Sequence, residues 1–324
     1  MATYWVTSAD VGAPALSGTN GTGITVLDFI LVTNAGLTKA FSATNIGVYL
    51  MPNGDYLRVC HDSAATGDAR VMSVRAAAGA TGTANGDLVD AYPTVALLAD
   101  SVCNWRVSSS ASATARAWWA LVDTTNSVFV FLVDERGGGH IDALHTWAGG
   151  SSNLAVDNYC AFVAVRNAAA ASNVTALAPG YPFATPSAKI WWKRTRDGTI
   201  KSVQGYIGPY FGSNWAIGGA PAYPDPDDTK YRRARVLAGD NYSQSTSAGV
   251  AAEISRMYVP HIWYPLHAGS YTGIAIGDTF TDGAYNTQVG ATVTFAHFPM
   301  GGATGSSGAV CVEITDTWSP PVAL

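Results

Sequence analysis

The stretch AWWALVDTTNSVFVFLV, residues 117–133, predicts a β-hairpin. Two apolar runs, 117–122 and 128–133, flank the polar turn sequence DTTNS. The second run, VFVFLV, is apolar at every position, whereas successive side chains of a strand point to opposite faces. Both faces of this strand must therefore be covered, so we expect it in the centre of its sheet.

Similar short segments, bounded by turn residues, continue on both sides of the hairpin. The chain holds only 5 Lys and 3 Glu but 20 Asp, so surface helix formers are scarce and turn formers are common. We therefore predict a mainly β fold with sandwich- or barrel-like antiparallel sheets, many turns and little helix. The predicted strands are 56–61, 69–75, 104–108, 116–122, 128–133, 159–166, 189–195, 199–204, 232–237, 292–298 and 309–314.

The composition is that of a chain with a folded core. The 324 residues are 48% hydrophobic and 13% charged, the reverse of the balance in disordered chains. The net charge of −5 gives no general attraction to nucleic acid or anionic membranes. No apolar run approaches the ~18 residues of a spanning helix, and the first ten residues lack a secretory pattern. We expect a soluble, cytoplasmically made protein that neither binds nucleic acid nor inserts into a membrane.

Residues 22–32, TGITVLDFILV, fit either a helix or a strand. Helical spacing would place Asp28 within an apolar stripe made by Ile24, Leu27 and Leu31. In a strand, Asp28 would lie on the face opposite to Leu27, and the β-branched residues would suit a pleated surface. The strand is therefore favoured.

The domain boundary is predicted where the strand rhythm stops. Residues 167–187 concentrate Ala, Pro and Ser. We predict an N-terminal β domain over 1–172, an Ala/Pro-rich linker over 173–187, and a C-terminal β domain over 188–324.

Catalytic and metal-binding motifs are absent from the sequence. It contains no HExxH, no GxSxG elbow, no phosphate-binding glycine loop and no closely spaced cysteine pair. Cys60, Cys103, Cys160 and Cys311 lie far apart and are expected to be buried thiols. With only three Glu, a glycosidase acid/base pair has few candidates. We therefore expect no enzyme activity and no cofactor.

The segment AKIWWKRTRDGTIKSVQG, residues 188–205, predicts a basic hairpin. A two-residue Asp197-Gly198 turn would place Arg194 opposite Lys201 and Trp192 opposite Val203. Like charges that face each other across a hairpin cost stability unless an anion lies between them.

This hairpin and a second basic segment form the candidate contact patch. Arginine suits bidentate contacts with phosphate or carboxylate, so one interpretation is a site for a host surface glycan or an acidic protein. The alternative, which we favour, is neutralisation by the chain's own turn PDPDD at 224–228. The patch consists of Trp191, Trp192, Lys193, Arg194, Arg196, Lys201, Arg232, Arg233 and Arg235.

Several blocks resemble a family of virion structural proteins of tailed bacteriophages. The blocks occur in consistent order at both ends and through most of the first half, and no such block occurs in 173–256. They are GAPALSGTNGTGITVLDFILV from 12, KAFSATNIGVYL from 39, YLRVCHDSAATGDARVMSV from 56, ARAWWALVDTTNSVFVFLVDE from 115, DNYCAFVAV from 157, YVPHIWYPLH from 258 and GAVCVEITDTW from 308.

The resemblance implies a virion subunit that is assembled in the host cytoplasm, in the tail tip or baseplate. Its partners would be other virion proteins and copies of itself. The family supplies no catalytic or metal-binding residues. Two alternatives stay open, a receptor- or glycan-binding virion protein and a capsid decoration protein, while a glycan-degrading tail enzyme is disfavoured.

Overall fold

The fold was analysed in a computed structural model of the chain. It describes residues 2–91, 104–136, 141–148, 159–166, 188–194, 200–208, 231–239, 258–265, 275–282, 293–299 and 309–315. Strands account for 45% and helices for 14% of the interpretable part, arranged in several antiparallel sheets. The predicted mainly β fold with little helix is confirmed.

The described part contains nineteen strands and four short helices. The strands are β1 (Thr3–Thr7), β2 (Thr38–Ala43), β3 (Ile46–Leu50), β4 (Tyr56–Cys60), β5 (Val71–Ala77), β6 (Gly79–Ala80), β7 (Leu88–Val89), β8 (Asn104–Arg106), β9 (Trp118–Asp123), β10 (Val128–Asp134), β11 (Ile141–Ala148), β12 (Tyr159–Arg166), β13 (Ala188–Arg194), β14 (Ile200–Gly208), β15 (Tyr231–Gly239), β16 (Tyr258–Pro265), β17 (Thr279–Asp282), β18 (Val293–Pro299) and β19 (Ala309–Glu313). The helices are α1 (Thr22–Leu27), a π-helix (Asp28–Asn34), α2 (Ser63–Thr66) and a 3₁₀ turn (Asn85–Asp87).

These strands form three antiparallel sheets. Twelve strands pair in the order β1-β9-β10-β11-β12-β13-β14-β15-β16-β19-β18-β17. Five more pair in the order β2-β3-β4-β5-β8, and β6 pairs with β7. Each of the eleven predicted strand segments overlaps a strand, and the 117–133 hairpin is confirmed as β9 and β10.

One face of β9 and β10 packs on the five-stranded sheet and on α1. Phe131 on β10 contacts Trp105 on β8 edge-to-face, with ring centroids 4.6 Å apart, and Trp118 on β9 at 5.9 Å. Neither indole is exposed to solvent. This main core also includes Leu27 and Ile30 from the helical segment.

The opposite face of β9 and β10 is covered by C-terminal strands. Phe298 on β18 contacts the rings of Trp119 at 5.3 Å and Trp5 at 6.3 Å. Gly277, before β17, approaches Trp119 so closely that a Cβ there would lie 2.1 Å from the indole nitrogen. The two ends of the twelve-stranded sheet therefore meet, and β10 is buried on both faces as its sequence predicts.

Residues 22–32 are helical, so the strand prediction for them is wrong. Asp28 begins the π-helix and is held from outside it: Tyr49 Oη donates to Asp28 Oδ1 at 2.9 Å, and Lys39 Nζ lies 2.9 Å from Oδ2. Burial first and Asp28 second raise the pKa of Tyr49, which keeps the phenol a donor. Asp28 thus tolerates the apolar stripe because partners from β2 and β3 reach it.

Removing that phenol tests the arrangement. Tyr49→Phe is expected to lower the free energy of unfolding by about 1 kcal/mol, because Asp28 loses one donor but keeps Lys39. Urea denaturation measures this change. A Cβ on Gly47 would lie 2.7 Å from Tyr49 Cζ and 2.8 Å from Tyr49 Cε2, ring atoms that phenylalanine keeps, so Gly47→Ala should destabilise the protein in both backgrounds. An unchanged free energy of unfolding in Tyr49→Phe would show that the phenol does not hold Asp28.

The predicted linker 173–187 lies outside the described residues, and the two-domain division stays a prediction.

Candidate functional site

The predicted basic hairpin is present, but its register differs from the prediction. β13 and β14 pair antiparallel with Trp192 opposite Lys201 and Lys193 opposite Ile200. Arg194 is therefore not opposite Lys201, and it pairs instead with Tyr159 of β12. The predicted pairing is wrong by two positions, because hairpin register follows from the length and type of the connection, and the observed register does not fit a two-residue Asp197-Gly198 turn.

The structure separates the contact patch into two groups. Trp191–Arg194 and Lys201 lie where β13 ends and β14 begins, whereas Arg235 pairs with Gly208 at the far end of β14. At about 3.3 Å per residue, Lys201 and Gly208 are roughly 23 Å apart. Arg232 and Arg233 continue β15 beyond that pair. The eight described residues of the patch therefore do not all lie at one strand end.

Parts of the patch prediction lie outside the described residues. These parts are Arg196, the Asp197-Gly198 turn and the acidic turn at 224–228. Neutralisation by that acidic turn and a role in ligand contact both stay predictions.

The most strongly organised polar cluster that the structure describes is a buried centre around His261. His261 Nε2 lies 2.9 Å from Asp123 Oδ2 at the end of β9, and Nδ1 lies 2.8 Å from the Glu313 carbonyl oxygen on β19. The His261 side chain has no exposed surface, and that of Asp123 is 3% exposed. One imidazole thus joins three strands, β9, β16 and β19.

The contact with Glu313 fixes the hydrogen-bond direction at one ring nitrogen of His261. A carbonyl oxygen only accepts, so Nδ1 carries a proton. Burial alone would raise the pKa of Asp123, but hydrogen bonds from His261 and Asn126 and the attraction of His261 lower it. His261 and Asp123 therefore form a close, buried pair.

The side-chain carboxylates of Asp123 and Glu313 accept further hydrogen bonds from other groups. Asp123 Oδ1 accepts from the backbone N–H groups of Thr125 at 2.8 Å and Asn126 at 3.0 Å, which closes the β9–β10 turn. Trp263 Nε1 donates to Glu313 Oε2 at 2.7 Å. These carboxylates therefore fix strands and a turn.

No motif in the sequence singles out His261. Its backbone is left-handed, with φ of 62°, a conformation that costs a side chain about 1–3 kcal/mol. Asp123 lies 138 residues away in sequence. No local spacing relates the two, so no sequence signal identified the pair.

A second buried histidine holds the start of α1. His61 Nδ1 accepts the Gly23 N–H at 2.9 Å, and Nε2 donates to the Ala69 carbonyl oxygen at 2.9 Å. The ring is therefore neutral. Burial lowers the pKa of His61, against weaker opposite effects from Ala69 and Asp62.

The His61 pKa predicts acid sensitivity. The folded pKa lies below the unfolded value of about 6.5, so the unfolded chain takes up the proton first. Stability is complete above the unfolded pKa and is lost as the pH falls from there to the folded pKa. Urea denaturation between neutral and acidic pH should show this loss. Burial also lowers the pKa of His297, so His61→Gln should reduce the pH dependence without abolishing it. An unchanged pH dependence in that variant would contradict the assignment.

Other predictions concern metals, thiols and membrane spans. Among the described residues, no group of three His, Cys, Asp or Glu side chains is placed to hold a metal ion. Cys60 and Cys311 are buried and outside any disulfide, as expected, and burial raises the pKa of the Cys311 thiol. Cys103 and the side chain of Cys160 lie outside the part of the chain that the structure describes. None of the helices that the structure describes is long and apolar enough to span a membrane.

Comparison with known proteins found no matching family model, no similar curated protein and no similar solved structure.

Proposed function

We propose that the chain is a structural subunit of a tailed-phage virion, in the tail tip or baseplate, which acts through contacts with other virion proteins and with copies of itself. The observation that carries the proposal is the use of buried polar side chains to join strands. Asp123, His261 and Glu313 hold strands together with almost no exposed surface. Together with the sequence blocks that resemble virion proteins, this supports a structural subunit rather than a reaction centre.

The glutamates support a role without catalysis. Glu135 is 2% exposed and forms an ion pair with Arg106, and Glu313 is fully buried and accepts from Trp263. A glycosidase acid must reach the bond that it protonates. Glu253, the third glutamate, lies outside the described residues. We accordingly propose that purified protein does not hydrolyse host surface glycans.

Genetic removal tests the structural role. A nonsense mutation in this gene, in a phage that encodes it, should give particles without complete tails in a non-suppressing host. A plasmid copy should restore the tails. Normal, infectious particles made without the chain would overturn the proposal, and complete tails on fragile heads would favour the capsid decoration alternative.

A receptor-binding role is the second candidate, because aromatic and basic residues follow one another on β13. Arg194→Gln with Lys201→Gln should leave host adsorption intact if the chain is only structural. Arg232→Gln with Arg233→Gln tests the second group of the candidate patch, at the opposite end of the strands. An adsorption defect in either variant, in particles that assemble normally, would favour receptor binding and would show which group makes the contact. In the unmutated phage, that adsorption should then weaken with added salt.

A further inference from the structure

The loop that joins β8 to β9 collects serine hydroxyls around one guanidinium. Arg116 Nε donates to Ser108 Oγ at 3.1 Å. Arg116 Nη2 donates to Ser109 Oγ at 3.2 Å and to Ser110 Oγ at 3.1 Å. Arg116 is half-buried, so its planar side chain is oriented by hydroxyls and still reached by solvent.

Backbone contacts hold this loop in place. The Arg116 N–H donates to the Leu16 carbonyl oxygen at 2.8 Å, and the Gly18 N–H donates to that of Ser112 at 3.1 Å. A Cβ on Gly18 would lie 1.9 Å from the Ser110 carbonyl oxygen, so the two segments are in close contact. The serine hydroxyls are thus positioned before any ligand arrives.

The hydroxyl protons follow a defined direction. Ser112 Oγ donates to Thr114 Oγ1 at 3.1 Å, so the 2.9 Å contact between Ser110 and Ser112 must use the Ser110 proton. Ser109 Oγ accepts from Arg116 and has no acceptor for its own proton among the described residues. The two hydrogens on Arg116 Nη1 likewise meet no acceptor there. Three donors therefore remain at one solvent-accessible position.

The surrounding charge is positive. Arg106 Nε lies 2.6 Å from Glu135 Oε2, and Arg136 Nε lies 3.1 Å from Glu135 Oε1. One carboxylate thus serves two guanidinium groups, and Arg116 has no acidic partner in the part of the chain that the structure describes. Arg70 and Asp68 pair with each other and interact with Glu135 and Arg106, so with Asp134 also counted, four arginines exceed three carboxylates among these described residues.

We propose that Arg116 and Ser109 bind a phosphate or sulfate group of a ligand. Guanidinium N–H groups match the oxygens of such anions, and the Ser109 hydroxyl adds a neutral donor beside them. The group is either free in solution or carried as an ester on a larger molecule such as a sugar. This site is distinct from the β13–β15 patch and does not depend on the proposed virion role.

Calorimetric titration of the full chain tests the site, with inorganic phosphate, glycerol phosphate and sulfate as probes against chloride of equal ionic strength. Arg116→Gln is expected to weaken binding of the preferred probe by at least about tenfold, because it removes the charge-assisted donors. Arg116→Lys should also weaken binding, since it keeps the charge and loses the planar donor pair. Ser109→Ala should weaken it less.

Arg136→Gln is the matched control, because it removes one nearby exposed charge without touching the hydroxyl cluster. Its affinity should stay within about threefold of the wild type. Tighter binding of glycerol phosphate than of inorganic phosphate would identify an esterified ligand, and the reverse would identify a free anion. No binding of any probe, or equal losses in Arg116→Gln and Arg136→Gln, would overturn the proposal.

Discussion

Asp123→Ala is expected to lower the free energy of unfolding by about 3–5 kcal/mol, the usual cost of removing one partner of a buried pair. The change takes the carboxylate away from His261 Nε2 and removes Oδ1 from the β9–β10 turn. Urea denaturation measures the loss. We expect it to be accompanied by faster amide hydrogen exchange in β16 and β19, which His261 joins to β9.

Asp123→Asn is the control for this prediction. The Asn side chain can still accept the Thr125 and Asn126 backbone N–H groups and can donate to the His261 ring. Its amide nitrogen cannot accept the hydrogen bond that the Asn126 side chain donates to Asp123 Oδ2 at 2.6 Å, so one hydrogen bond is lost. We therefore expect a loss of about 1 kcal/mol. Equal losses in both variants would show that the charge, rather than the hydrogen bonds, dominates. Unchanged exchange in β16 and β19 in Asp123→Ala would contradict the role of the pair.

Trp105→Ala should destabilise the protein by about 3–5 kcal/mol, as expected when a large aromatic side chain is removed from a core. Trp105 is fully buried and lies against Phe131 with ring centroids 4.6 Å apart. The cavity would open between the five-stranded sheet and β10, where neither backbone can collapse onto the other without breaking strand pairs.

Trp105→Phe separates shape from polarity. The Trp105 indole N–H is buried and has no hydrogen-bond partner among the described residues. Phenylalanine removes that unsatisfied donor, which offsets part of the lost packing, so the net loss should be below about 1.5 kcal/mol. Thermal and urea denaturation of the two variants check this. Similar losses of unfolding free energy in Trp105→Ala and Trp105→Phe would show that the unsatisfied indole N–H does not destabilise the wild-type protein.

Apolar runs made many strands predictable, and long-range pairing explains those that were not. VFVFLV predicts a strand buried on both faces because each side chain is apolar, whichever way it points. β2, TKAFSA, is partly exposed and, among the described strands, pairs with β3 alone, so no apolar alternation marks it. β16 contains two prolines and a left-handed residue, His261, features that ordinarily argue against a strand.

The helical segment at 22–34 and the His261 centre likewise depend on long-range contacts that the sequence does not reveal. Asp28 looked wrong for a helix because the sequence does not show that Tyr49 and Lys39 lie beside it. His261 had no evident partner because Asp123 belongs to a distant hairpin. In both cases the deciding contact joins residues whose proximity exists only in the folded chain.

An electron cryomicroscopy map of the intact particle tests the proposed function most directly. The described strands should fit density in the tail tip or baseplate, and each copy should bury more than ~1,000 Å² per contact against neighbouring subunits. A particle without this chain, or one that carries it as a peripheral monomer with a single small, hydrated contact, would contradict the structural role.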